Sequence, residues 1–157
     1  MTDDPAGALI AEHVRRFMSA MGMEDIHLEC ESGQSAGVLR ISINAGQSGN
    51  MLIGAQGANL NALQHVIRCV LRKHLDEKVH ITVDVNGYRL RRERHLFGFA
   101  EEVAKRAQKT GKPVALSPMN ALDRRIIHTA LAGHKEVLTE SMGDGMERRV
   151  VVRPVFL

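Results

Sequence analysis

One nine-residue stretch constrains this chain more than any other: Leu52-Ile53-Gly54-Ala55-Gln56-Gly57-Ala58-Asn59-Leu60. Two glycines bracket two small or neutral residues, an apolar pair precedes them, and an amphipathic run follows. Glycine has no Cβ, so it admits left-handed backbone and the close approach of another main chain. A helix beginning at Gly57 would aim free N–H donors and the positive end of its dipole at the loop. The pattern predicts a seat for a phosphate group. Taken alone, the same four residues also suit a helix start with no ligand.

The flanking segments decide what the loop belongs to. Asp4 before Pro5 predicts a helix start, and Leu9, Ile10, Val14, Phe17, Met18 and Met21 recur at helical spacing until Gly22. Ile26, Leu28 and Cys30 alternate with polar residues, as do Leu39, Ile41 and Ile43, with turn chemistry over residues 31–37 between them. These are expected to be two strands of a hairpin. Met51-Leu52-Ile53 predicts a short helical turn entering the loop. Leu60, Leu63, Ile67, Val70, Leu71 and Leu75 then mark one face of a helix of about five turns. Val79, Ile81, Val83 and Val85 alternate as a third strand, closed by the Asn86-Gly87 turn signal.

Helix, two strands, short helix, glycine loop, helix, strand: this order, with Gly54-Ala55-Gln56-Gly57 inside it, resembles a KH domain of the prokaryotic arrangement. The resemblance covers nearly all of residues 8–85.

Beyond Gly87 the charge changes sign. Residues 1–85 carry seven Lys/Arg against ten Asp/Glu, a net −3; residues 86–157 carry fourteen against eight, a net +6. The basic half is the one expected to meet a polyanion. Tyr88 to Thr110 predicts a long helix rich in arginine at its start and stopped by Gly111 and Pro113. Ser117-Pro118 predicts a further helix start by the cap-plus-Pro rule, with Met119, Leu122, Ile126, Ala130 and Leu131 as its apolar stripe. Residues 137–139 and 149–152 flank Gly143-Asp144-Gly145 and predict a closing hairpin.

Within the second helix, Arg124 and His128 stand four residues apart. That spacing puts guanidinium and imidazole on one helix face, where they can grip phosphate oxygens together. A surface ion pair of Arg124 with Asp123, or a structural histidine, fits the same residues. The segment Ser117 to His128, preceded by a basic helix and followed by a Gly-rich turn into Glu147-Arg148-Arg149-Val150, resembles the single-strand nucleic-acid-binding module named for Arg-x-x-x-His, the R-three-H domain. KH then R-three-H, with Asn86-Gly87-Tyr88-Arg89 between, closely resembles the Jag family of bacterial RNA-binding proteins over about 145 residues.

This resemblance implies an α+β fold: a prokaryotic-type KH domain over residues 1–86, and a small α+β R-three-H domain over residues 87–157. It implies that Gly54, Ala55, Gln56 and Gly57 clamp a sugar–phosphate backbone. Ile53, Leu60 and the third strand would lie beside the groove for unstacked bases. Arg124 and His128 match the naming pair, and Arg125, Arg148 and Arg149 are neighbouring phosphate-contact candidates. KH loops of this type often carry Lys or Arg between the glycines, where this chain has Ala55 and Gln56. The loop is therefore expected to position RNA while the basic half supplies much of the hold. Many Jag members have a further domain upstream, for which this chain is expected to have no room.

Function is expected to be non-catalytic binding of single-stranded RNA, in post-transcriptional regulation or RNA chaperoning, with single-stranded DNA as a second candidate ligand. The alternative is a protein-interaction adaptor that uses KH faces to meet a partner KH protein or a second copy. With aromatics at 3% and no Trp, binding cannot rest on extended stacking platforms. No H-E-x-x-H or nucleophile-elbow pattern occurs, so no metal, cofactor or catalytic set is expected. Cys30 and Cys69 are expected to be buried thiols in a reducing compartment. Without a signal peptide or an apolar run of membrane-spanning length, the expected location is the cytoplasm, with no membrane insertion.

Overall fold

The computed structural model describes residues 5–32, 37–75 and 78–155, which divide into two compact α+β units, Met1–Arg89 and Leu90–Leu157. The first unit comprises α1 (Pro5–Ala20), β1 (His27–Ser32), β2 (Val38–Asn44), α2 (Gly49–Ile53), α3 (Ala58–Leu71) and β3 (His80–Val85). Its sheet has the order β1-β2-β3, with β1 antiparallel and β3 parallel to β2. The tip of the predicted β1–β2 turn (residues 33–36) and Asp4, the expected cap of α1, lie outside the described residues.

The parallel pairing explains where the glycine loop goes. Two parallel neighbours cannot be joined by a tight hairpin and need a crossover with a helix in it. Here the crossover carries α2, the loop and α3. One face of the sheet is apolar, with Leu39, Ile41 and Ile43 on β2 and Ile81, Val83 and Val85 on β3. Ile10, Val14 and Met18 of α1 and Leu60, Leu63, Ile67 and Leu71 of α3 close over it. The expected helix through Leu75 ends at Leu71, because the chain must turn back to enter β3. The His74 N–H donates to the Leu71 carbonyl in that turn. Leu75 still packs on the core from beyond the helix.

The second unit comprises most of α4 (Tyr88–Thr110), then β4 (Val114–Ala115), α5 (Ala121–Leu131), β5 (Val137–Met142) and β6 (Arg149–Pro154). Its sheet is antiparallel, in the order β4-β6-β5. Ala100, Ala104 and Ala107 give α4 a flat face, buried with Leu96, Val103, Ile127, Leu131, Val150 and Val152.

Three readings are corrected here. β4 was not foreseen, since two residues beside Pro113 are too few for an alternating pattern; only pairing with β6 defines it. The helix predicted from Ser117-Pro118 begins instead at Ala121. Leu116 donates its N–H to the Val150 carbonyl and Met119 to the Arg148 carbonyl, which holds the segment extended along β6. Asn120 is the cap: its Oδ1 accepts the Asp123 N–H at 2.9 Å. Cys69 is also corrected, since it is exposed on α3 while Cys30 is half-buried. Burial pushes the Cys30 thiol up, and the nearby charge of Arg15 opposes that in part. Among the described residues no helix is long and apolar enough to cross a membrane.

Candidate nucleic-acid interface

Three of the four residues in the loop between α2 and α3 have positive φ. Gly54 has φ 68°, Gln56 φ 52° and Gly57 φ 79°. Both glycines are required twice over, by these angles and by their neighbours. A Cβ on Gly54 would lie 2.5 Å from Cγ of Asn59, whose amide donates to the Met51 carbonyl at 2.8 Å and ties α3 to α2. A Cβ on Gly57 would lie 2.9 Å from the ring of Tyr88. Gly57 is the N-cap of α3 and brings no side-chain cap, while the Ala58 N–H donates back to the Ala55 carbonyl. The positive end of a helix dipole favours an anion.

Ala55 and Gln56 are exposed at the tip, and Gly57 is buried. Ile53, expected beside a base groove, is only 7% exposed, and Leu60 only 1%. Both side chains belong to the core and support the loop from beneath, rather than presenting a surface to a ligand.

In the second unit, Arg124 and His128 lie on one face of α5, as their spacing requires, and meet β5. The His128 ring is held at both nitrogens, with Nδ1 2.7 Å from Thr139 Oγ1 and Nε2 2.9 Å from Ser141 Oγ. Arg124 donates from Nη1 to the same Ser141 oxygen at 3.1 Å. A neutral ring fits this set: Ser141 accepts from Arg124 and donates to Nε2, while Nδ1–H donates to Thr139. Both partners of the imidazole are hydroxyls rather than carboxylates. Burial, then the Arg124 charge, holds His128 below its ordinary value of 6.5.

That shift has a signed consequence. A histidine with a lowered folded pKa takes up protons less readily than in the unfolded chain, so stability is lost as pH falls through and below the ordinary histidine range. The second unit is expected to melt earlier at pH 5.5 than at pH 7.5, and His128→Gln is expected to flatten that difference. Identical pH profiles for the two proteins, measured by thermal unfolding, would remove His128 as the cause.

Arg124, Arg125, His128 and Thr129 line a shallow surface depression with Ala121 and Ala132. Among the described residues, Arg124 Nε is the buried side-chain donor without a hydrogen-bond partner. Arg125 and Arg148 are exposed. Arg149 is tied to Glu147, through a 2.6 Å ion pair and a bond from Nε to the Glu147 carbonyl. Asp123 does not pair with Arg124. It is 2% exposed and accepts from Arg92 of α4 at 2.8 Å and 3.3 Å. That pair fixes the first turn of α5, and with it the direction of Arg124.

Sequence reasoning singled out Asn86-Gly87-Tyr88-Arg89 only as a junction. Asn86, itself at φ 52°, accepts the Ala45 N–H and donates to the Gly46 carbonyl, and it fills the space a Cβ on Gly49 would need. Tyr88 packs on the loop glycine. Arg89 donates from Nε to the Val83 carbonyl at 2.9 Å and from Nη2 to Gln64 Oε1 at 3.0 Å. Gln64 Oε1 also accepts the Val83 N–H at 3.0 Å, and Arg68 reaches the Ile81 carbonyl at 3.4 Å. The free edge of β3 is thus covered by side chains. Nothing in local sequence marks Gln64 for this, since the contacts are 19 and 25 residues away.

Residues 11–83 match the KH domain of KhpA/KhpB, and residues 95–154 match the R-three-H domain. The RNA-binding protein KhpB of Clostridium symbiosum is 30% identical over 141 residues, covering 90% of this chain and 63% of that protein. The RNA-binding protein KhpB of Bacillus subtilis is 36% identical over 109 residues, 68% of this chain and 52% of that one. That of Lactiplantibacillus plantarum is 39% identical over 102 residues, 65% and 32% respectively. The chain therefore spans between about a third and two thirds of the length of these curated relatives. With both domain types present in order, and an α+β unit folded for each, the chain belongs to the KhpB/Jag family.

Proposed function

We propose that this chain binds single-stranded RNA, with the glycine loop seating the sugar–phosphate backbone and the basic face around Arg124 extending the phosphate track. The observation that carries the reading is the start of α3 directly behind a glycine loop with positive φ at Gly54, Gln56 and Gly57, and with Gly57 as a cap that brings no side chain. The relatives named above as RNA-binding proteins support it. Since Ala55 and Gln56 bring no charge, electrostatic hold comes from the second unit, where Arg125 and Arg148 are exposed and Arg124 faces the depression. Gly54, Ala55, Gln56, Gly57, Arg124, Arg125 and Arg148 are the proposed contacts. His128 positions Arg124 through Ser141, and Arg149 is held by Glu147.

The role proposed is binding without catalysis, in the cytoplasm, in regulation or chaperoning of RNA, with single-stranded DNA as a competitor to be measured. Titration of short single-stranded RNA at several ionic strengths tests it. Affinity is expected to fall steeply with salt, the logarithm declining linearly with the logarithm of salt concentration. Absence of binding at the lowest salt would overturn the reading. Partners that co-purify after nuclease treatment would favour the adaptor instead.

A further inference from the structure

The free edge of β3 runs beside α3, and Gln64 sits between them. Two obligate donors converge on one branch of its amide: the Val83 N–H and the Arg89 guanidinium, each at 3.0 Å. Neither can accept a hydrogen bond, so the branch they meet must be the oxygen, and the amide cannot be turned over. Arg89 is itself fixed, by Nε to the Val83 carbonyl and by its own N–H to Asp84 Oδ1 at 3.0 Å. The oxygen's two lone pairs are therefore both used. What remains for a ligand is the NH2 group, a pair of donors held rigidly on a half-buried side chain.

Its place in the fold gives this donor a target. Gln64 follows Gly57 by seven residues on α3, about 10 Å along the helix axis. A strand whose phosphate sits at the start of α3 can bring a base of the next nucleotide or two to it. Apolar and cationic side chains continue the same side of the unit, with Ile81, Val79 and Leu75 beside Arg68 and Arg72.

We infer that Gln64 is a specificity-determining residue, which presents a fixed hydrogen-bond donor to a nucleobase and favours one with a carbonyl acceptor there over one with an amino group. The inference rests on the proposed RNA binding at the loop. Uracil and cytosine separate the two cases cleanly. They match in size, and at ring position 4 uracil carries an acceptor oxygen where cytosine carries an amino donor. An amide NH2 accommodates the first and opposes the second.

The test compares oligo(U) and oligo(C) affinities of the full chain, the wild type against Gln64→Glu. The carboxylate still accepts from Val83 and Arg89, so the edge of β3 stays covered and melting should hold. The donor branch becomes an acceptor. Wild type is expected to prefer oligo(U) by about three- to tenfold, the span of one hydrogen bond, and Gln64→Glu to lose or reverse that preference. The added negative charge weakens both oligomers alike, so the ratio is the readout. If Gln64→Glu binds neither oligomer, the neutral Gln64→Leu decides, and it too is expected to lose the preference. A U-to-C ratio that is unchanged in the deciding variant, or near one in the wild type, overturns the inference and leaves the loop reading standing. Wild type binding neither oligomer at low salt overturns both.

Discussion

Replacing Ala55 and Gln56 together with Asp is expected to lower affinity for single-stranded RNA by about thirtyfold, or about 2 kcal/mol, at low salt. The estimate follows from Coulomb's law. A carboxylate about 4 Å from a phosphate costs about 1 kcal/mol in bulk water and several times that where the protein lowers the effective dielectric. Both residues are exposed at the tip, so the charges sit in high dielectric and the lower figure applies to each. The backbone should tolerate the change, because Asp accepts the left-handed angles that Gln56 adopts at φ 52°. Melting of the variant should therefore match that of the wild type, and the deficit should shrink as salt is raised. A folded variant with wild-type affinity would show that the loop is not the clamp.

The second large effect is on stability. Asp123→Ala is expected to destabilise the second unit by about 3 kcal/mol. Breaking a buried ion pair from one side costs about 3 to 5 kcal/mol, because the surviving charge is left without a partner. The lower end applies because the Arg92 side chain is 24% exposed and can be partly rehydrated. The start of α5 also loses an acidic group favourable to its dipole. Amide hydrogen exchange should localise the loss to residues of the second unit, which one whole-chain melting curve cannot do. The double variant Arg92→Leu/Asp123→Leu is expected to recover much of the deficit. Full protection in Asp123→Ala would mean that the pair does not hold α5 in place.

These two experiments bear on different halves of the chain and on different quantities, affinity and stability. The contrast follows from how each site is built. The glycine loop is main chain shaped by φ angles, so its chemistry is altered by a charge added at the tip. The Arg124 face is side chains propped on other side chains. Asp123 holds the start of α5, and Ser141 and Thr139 hold Arg124 and His128 against β5. Damage behind that face is transmitted to it.

Much of this was legible in the chain itself. The alternation of Leu39, Ile41 and Ile43 and of Val79 to Val85, the helical stripe from Leu60, and the punctuation by Gly22, Gly87 and Gly111 report local periodicity and local backbone freedom. Those properties belong to neighbours along the chain. They placed the glycine loop ahead of a helix, put Arg124 and His128 on one face, and separated an acidic half from a basic one. Tertiary structure decided what depends on distant partners. Contacts with β6 delayed α5 past Pro118 to Asn120, and Asp123 was drawn away from Arg124 to Arg92. Ile53 sank into the core, and the Asn86-to-Arg89 segment, read as a junction, became part of the first unit. Gln64, one polar residue among many on an amphipathic helix, gained a fixed orientation from Val83 and Arg89 across the fold. Periodicity says which way a residue faces; only packing says what it meets there.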